Sequence, residues 1–227
     1  GAPPPTVAGK TALIFACGER APDAVVLALA DEAAAIIACD GALTTCLEHG
    51  LRPDAVVGDM DSVEQDQLDE HVARGGTVVE RPQQNANDLS KAIDWVHEQG
   101  FTACWVVGAT GGDPQHEWAN LLTCGASSLR ITCISHTHVY RFFSPNGSYS
   151  IEFEPGDEFS LFALPVAEEV VLEGAAFSLS GETLPMGSRG LHNTSVGPKV
   201  QLSFKHGRLM MIHPLHLPWK AAGTNEA

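Results

Sequence analysis

Short apolar runs alternate with segments of helical period along the chain as far as Tyr140. The runs are Ala12–Ala16, Ala35–Cys39, Ala55–Val57, Thr77–Val79, Cys104–Val107 and Ile131–Ile134. Between them, Asp23–Ala34, Gly41–His49, Ser62–Arg74, Asp88–Glu98 and Glu117–Ser127 carry helical spacing. Nearly continuous apolar strands alternating with helices predict a parallel sheet covered on both faces. Ser62 and Gln65 stand at capping-box spacing and set the expected start of the third helix.

After Tyr140 the helical period disappears. Strand-like stretches follow at Tyr149–Phe153, Phe159–Ala163, Glu169–Leu172, Val200–Phe204 and Leu209–Ile212, separated by turn signals at 145–147, 155–157 and 206–207. This predicts a smaller antiparallel domain. The expected organisation is α/β: a flexible leader (1–10), an N-terminal parallel-sheet, Rossmann-like domain (11–143), a smaller antiparallel β-sandwich (144–218) and a tail (219–227).

Charge narrows the function. The 227 residues carry a formal net charge of −15. Such a surface repels phosphate backbones and argues against nucleic acid or an anionic membrane as partner. A nucleotide can still bind if a cation bridges the charges. No apolar run reaches membrane-spanning length. None of the six cysteines forms a C-x-x-C pair, and most fall in apolar segments. Reduced, buried thiols in a cytoplasmic protein are the expectation.

In an open parallel sheet, ligands bind beyond the carboxyl ends of the strands. The segments that follow the first three runs are Cys17-Gly18-Glu19-Arg20, Asp40-Gly41 and Gly58-Asp59-Met60-Asp61-Ser62. The fourth is followed by Gln83–Asp88 and the fifth by Gly108–His116. Glycines and acids thus gather on one predicted edge. In an extended segment Asp59 and Asp61 would face the same way, as a cation site or as a solvated acidic turn. Asp88 opens a helix and shares a face with Lys91; it is either an N-cap or a site acid. Gly108, Gly111 and Gly112 form a glycine-rich strand-to-helix loop of the kind that admits phosphate. His116 and Asn120, four apart, serve either that loop or helix packing. His136 with His138, and His213 with His216, lack the further ligands of a zinc site and read as surface residues.

Cys39-Asp40-Gly41 followed by Pro53-Asp54-Ala55-Val56-Val57-Gly58-Asp59-Met60-Asp61-Ser62 resembles the signature of the thiamin pyrophosphokinase family, A-D-G-G-A then P-D-x-x-x-G-D-x-D-S. Asn87-Asp88-Leu89-Ser90-Lys91-Ala92 matches its T/N-D-x-x-K-A, and Gly108–Asn120 resembles its G-x-x-G-G-R-x-D-H-x-x-x-N. Gly190-Leu191-His192-Asn193 and Gly207-Arg208-Leu209 stand where the family has G-x-S-N and G-x-L.

The resemblance implies transfer of pyrophosphate from ATP to the hydroxyl of thiamine, giving thiamine diphosphate and AMP. It implies a homodimer with each thiamine site between one subunit's α/β domain and its partner's β domain. It also implies magnesium at Asp59, Asp61 and Asp88, with Lys91 and the Gly111-Gly112 loop on phosphate. Asp40, Gly41, Gln115, His116, Asn120, His192 and Asn193 then contact nucleotide or acceptor. The general base stays open between Asp59 and Asp61.

The chain departs from the pattern on the acceptor side. Asp113 replaces an arginine and Gln115 an acid; Cys17 and Thr44 replace asparagines, and His192 a serine. The acids Asp40, Asp54, Asp59, Asp61 and Asp88 are retained. Two alternatives follow from the departures: a pyrophosphokinase for another hydroxymethyl heterocycle, such as a pterin, or a non-catalytic nucleotide- or thiamine-binding homologue.

Overall fold

A computed structural model describes residues 10–217 and 219 and the backbone of 224–226. The expected leader, apart from Lys10, and most of the expected tail lie outside the described residues. The chain divides into two units, Gly1–His136 and Thr137–Ala227.

The first unit runs β1 (Thr11–Phe15), α1 (Asp23–Glu32), β2 (Ala35–Cys39), α2 (Leu43–Glu48), β3 (Ala55–Gly58), α3 (Gln65–Ala73), β4 (Thr77–Glu80), α4 (Asp88–Glu98), β5 (Ala103–Val107), α5 (Pro114–Ala126) and β6 (Arg130–Ile134). These strands pair in parallel in the order β6-β5-β1-β2-β3-β4. Leu13, Ile14, Ile37, Val56, Val106 and Ile131 are fully buried, as strands covered on both faces require. Each such side chain stabilises the fold by about 1.5–3 kcal/mol. Helix α4 buries Leu89, Ala92, Ile93 and Val96, an i, i+3, i+4, i+7 stripe.

Strand order sets where a ligand can enter. The chain steps outward from β1 through β4, then returns to place β5 on the other side of β1. The loops after β1 and β5 therefore part in opposite directions, which opens a crevice at the carboxyl edge.

Two helix starts differ from the pattern reading. Helix α3 begins at Gln65, with Glu64 at the cap and no side-chain bond there. Ser62 lies in the preceding turn, where the chain reverses at Met60 (φ 67°), so the capping box does not form. Helix α5 begins at Pro114, earlier than expected, because Asp113 caps it by accepting from the Gln115 amide at 2.8 Å.

The second unit comprises β7 (His138–Phe143), β8 (Ser148–Glu152), β9 (Glu158–Glu173), β10 (Leu179–Pro185), β11 (Asn193–Thr194), β12 (Lys199–Ser203), β13 (His206–Pro214) and β14 (Thr224–Glu226). Its pairings are antiparallel. The stretches expected at Phe159–Ala163 and Glu169–Leu172 are one strand, β9, which pairs with β10, β11, β12 and β13. His206 and Gly207 open β13 rather than forming a turn. Strand β7 pairs with β13, so the unit boundary falls at His136/Thr137 and not after residue 143. Phe153 and Phe159 stack with ring centroids 5.4 Å apart in this unit's core.

Candidate active site

The crevice at the β1/β5 switch point is a cleft of about 520 Å³. Its floor and walls include Cys17 and Glu19 after β1, Asp88 at the start of α4, and Gly111, His116 and Glu117 around the β5–α5 loop. Backbone bonds carry the β1–β5 ladder beyond both strands. Ala16 N–H donates to Val107 O at 2.8 Å, Gly18 N–H to Gly108 O at 2.6 Å and Glu19 N–H to Thr110 O at 2.9 Å. A side chain at Gly18 would collide with the Gly108 and Thr110 carbonyls, so glycine is needed for the two loops to lie this close.

Asp40 follows β2 and is 1% exposed. Its Oδ1 accepts from the Gly41 amide at 2.8 Å, while the buried Oδ2 has no hydrogen-bond partner. Gly58 permits this position: a Cβ there would lie 2.7 Å from Asp40 Cγ. Burial raises the Asp40 carboxyl above the usual aspartate range, and the nearby Asp88 and Asp59 carboxylates add to the rise. Asp59 shifts the other way. The Asp61 amide donates to Asp59 Oδ1 at 3.0 Å and lowers its carboxyl, with Asp40 and then the Lys91 ammonium contributing. In this pair, Asp40 is the acid that holds a proton more readily.

The extended-segment reading of Asp59 and Asp61 does not hold. Met60 has a left-handed φ of 67°, so the two residues belong to a turn closed by the Asp61 amide. Asp61 is exposed. Among the described residues, no three or more His, Cys, Asp or Glu side chains are gathered into a group able to hold a metal ion. Asp59, Asp61 and Asp88 are therefore not a closed three-carboxylate cage. The donors still fit magnesium, which takes one or two carboxylates and fills its remaining positions with water and phosphate oxygens. The Asp59 carboxyl, the exposed Asp61 and Asp88, whose helix Asn87 caps in its place, are oxygen donors of that kind.

Asn87, not Asp88, caps α4: its Oδ1 accepts from the Ser90 amide at 2.8 Å. The Asp88 carboxylate is thus spared from capping, and its charge acts on Asp40 and Cys17. Lys91, one turn on, is buried and faces Asp59 electrostatically. Cys17 stands beside Gly41, where a Cβ would lie 3.0 Å from its Sγ. Desolvation of its sulfur, then Asp88 and Asp40, pushes this thiol up to about 11, which disfavours the thiolate.

Other predicted residues divide into those at the cleft and those used elsewhere. His116 lines the cleft; Gln115 is exposed and does not. Asn120 lines it too, but its amide is already engaged, accepting from Asn87 Nδ2 at 2.9 Å and donating to Ala109 O at 2.9 Å. Asp54 sits at the opposite edge of the sheet, before β3, where its Oδ2 accepts from the Ile36 amide at 2.8 Å. It belongs to the scaffold rather than to the retained site acids. Thr44 donates to Gln67 on α3 at 2.7 Å. In the second unit, Asn193 is buried and engages Phe177 N–H at 3.1 Å and Phe177 O at 2.8 Å. His192 is exposed with a φ of 56°, its amide donating to Ser160 Oγ at 3.0 Å.

Sequence reading placed Glu19 on the predicted edge without a role and did not single out Glu117. Glu117 Oε1 accepts from the Gly111 amide at 3.3 Å, and the Glu19 side chain packs over Gly111. The glycine loop thus lies between two carboxylates. Their spacing gave one usable signal: Glu117 falls in the first turn of the helix that the loop feeds.

Comparison with known proteins finds thiamin pyrophosphokinases. The model of the thiamin pyrophosphokinase catalytic domain matches residues 26–133. A thiamine pyrophosphokinase of Bacillus subtilis (strain 168) is 29% identical over 190 residues, covering 80% of this chain and 88% of that protein. The crystal structure of thiamine pyrophosphokinase from Bacillus subtilis superposes with a TM-score of 0.77 at 27% identity, covering 92% of this chain and 100% of that one. The thiamin pyrophosphokinase of Geobacillus thermodenitrificans shares the fold, with a TM-score of 0.75 at 24% identity over 92% of this chain and 99% of that one. The motif order, the switch-point cleft and these matches together make the chain similar to the thiamin pyrophosphokinases.

Proposed function

We infer that this chain transfers the pyrophosphoryl group of ATP to the hydroxyl of thiamine, releasing thiamine diphosphate and AMP. The observation that carries the reading is the meeting of Asp40, Asp59, Asp88 and Lys91 at the carboxyl edge beside the cleft. We read the first unit as a Rossmann-like nucleotide- and metal-binding catalytic domain. We read the second as a β-sandwich that supplies thiamine contacts, including His192 and Asn193, in a homodimer. Six free thiols fit a cytoplasmic setting.

Asp59, Asp61 and Asp88 are assigned to magnesium, whose charge would offset that of the polyphosphate when bound. Lys91 and the Gly111-Gly112 loop are assigned to phosphate. Asp40, Gly41, Gln115, His116 and Asn120 belong to the acceptor and nucleotide side. The hydroxyl oxygen attacks the β-phosphorus in line, the bond from that phosphorus to the α–β bridging oxygen breaks, and AMP leaves with that oxygen. The hydroxyl proton passes to a carboxylate at the β3 end. This chemistry rests on positioning and charge neutralisation rather than on a covalent nucleophile.

The test is AMP release from ATP and magnesium with a panel of acceptors. Thiamine-dependent AMP with matching thiamine diphosphate is the expected result. Release with a hydroxymethyl pterin and not with thiamine would move the acceptor to the alternative class. Nucleotide binding without turnover on any acceptor would indicate a non-catalytic homologue.

A further inference from the structure

The amides that ordinarily make a glycine loop and helix start attractive to phosphate are partly spent within this chain. Gly111 (φ 79°) and Gly112 (φ 74°) hold the loop in the left-handed backbone that glycine favours. The Gly111 amide already donates to Glu117 Oε1 at 3.3 Å. The Gln115 amide donates to Asp113 Oδ1 at 2.8 Å, and Pro114 has no N–H to offer. Glu19 closes over the other side of Gly111. A phosphate oxygen approaching Gly111 would share one N–H with a carboxylate, and two anions cannot use that donor together.

We propose that Glu117 is a binding-site residue that competes with the phosphates of the nucleotide for the Gly111 amide and must swing away when they enter. The proposal rests on the assignment of the Gly111-Gly112 loop to phosphate. Glu117 stands on α5, whose cap is the separate residue Asp113, so its carboxylate can leave Gly111 while the helix start stays capped. Its contact sets a lower nucleotide affinity than the bare loop would have. The same carboxylate admits phosphate more readily when a divalent cation accompanies it, because the cation offsets the repulsion.

The experiment is calorimetric titration of the full chain with inorganic pyrophosphate in magnesium buffer. It compares wild type, Glu117→Ala, Glu117→Gln and Glu19→Gln, each checked by thermal melting. Glu117→Ala frees the amide and should tighten binding roughly three- to tenfold, the worth of one hydrogen bond. Glu117→Gln keeps a neutral acceptor on the amide and should fall between Glu117→Ala and wild type. Glu19→Gln removes a neighbouring charge without freeing the amide and should change binding least. Unchanged or weaker binding in Glu117→Ala, or no binding in any variant, would overturn the proposal. Equal tightening in Glu19→Gln would also overturn it, because a general charge effect would then be sufficient. The thiamine-dependent AMP assay on wild type tests the functional reading separately, so either can fail while the other stands.

Discussion

The Asn87 side-chain amide donates to Asn120 Oδ1 at 2.9 Å, and this bond joins the start of α4 to α5. It is the middle of a relay. Asn120 Nδ2 donates onward to Ala109 O at 2.9 Å, and Asn87 Oδ1 caps α4 through the Ser90 amide at 2.8 Å. The loop after β5 is thereby tied to the residue that precedes Asp88. Asn120 is a positioning residue in this geometry. Asn120→Ala should cost about 1–3 kcal/mol by stranding partly buried partners, and should lower kcat more than it raises the KM for ATP. Asn87→Ser keeps a capping oxygen but drops the link to Asn120. It should retain most of the helix stability and still reduce kcat. Equal kcat in wild type and Asn87→Ser would show that the relay does not act on Asp88.

Asp40 carries a stability cost in the free protein. Its folded-state carboxyl is raised, chiefly by burial. The native state therefore binds a proton more tightly than the unfolded chain does, and stability falls as pH rises from the ordinary aspartate range through the raised value. Asp40→Asn keeps the acceptor for Gly41 and removes the buried charge. It should raise Tm at neutral pH, by roughly 2–4 °C for each kcal/mol relieved, and flatten the pH dependence of Tm above the ordinary aspartate range. Turnover should fall in the same variant. A Tm at or below wild type would show that the carboxylate is already neutralised in solution.

Metal dependence should separate Asp59 from Asp61. Asp59 lies beside Asp40 and Lys91, while Asp61 is exposed and supplies its amide to the Asp59 carboxyl. Asp59→Asn should remove most turnover, and added magnesium should restore little. Asp61→Asn should keep its Tm, because the bond to Asp59 uses backbone, while raising the magnesium concentration needed for half-maximal AMP release. If Asp61→Asn titrates with magnesium like wild type, Asp61 is not a ligand.

Assembly can be tested at an exposed aromatic. Asn193 pins the backbone of Phe177, yet the Phe177 ring is 72% exposed. Aromatic residues are enriched at protein interfaces, so Phe177 is where the proposed contact between copies of the chain is tested. Light scattering should report a two-fold dimer, and Phe177→Glu should shift it toward monomer without lowering Tm. A wild-type monomer at assay concentration would remove the dimer from the functional reading.

The parallel sheet was legible because strands buried on both faces spell continuous apolar runs, as at Ala35–Cys39. The acids at strand ends were legible because topology alone puts them on one edge. The misses have local causes. Pro165 interrupts the apolar pattern of β9, so one strand read as two. Strand β10 keeps only Leu184 buried, leaving no alternation to read. The expected capping box at Ser62 failed because a left-handed Met60 spends those residues on a turn. The Asn87–Asn120 bond spans 33 positions, and no spacing rule finds a contact of that range.

Gln115 stands where the thiamin pyrophosphokinase pattern has an acid. Its side chain is exposed and outside the cleft, and it occupies the first turn of α5 behind the Asp113 cap. An aspartate there would favour the helix dipole by about 0.3–1 kcal/mol, so Gln115→Asp should raise Tm slightly. Because residue 115 does not line the cleft of its own chain, the KM for ATP should stay the same. Thiamine is cationic, and a carboxylate binds a cationic or amino-bearing ring more strongly than a neutral amide by on the order of 1 kcal/mol. If the acceptor site of the dimer includes residue 115, Gln115→Asp should lower the KM for thiamine about fivefold, as that energy implies, with kcat nearly constant. An unchanged thiamine KM alongside the raised Tm would place Gln115 outside the acceptor site and confine its role to the helix start.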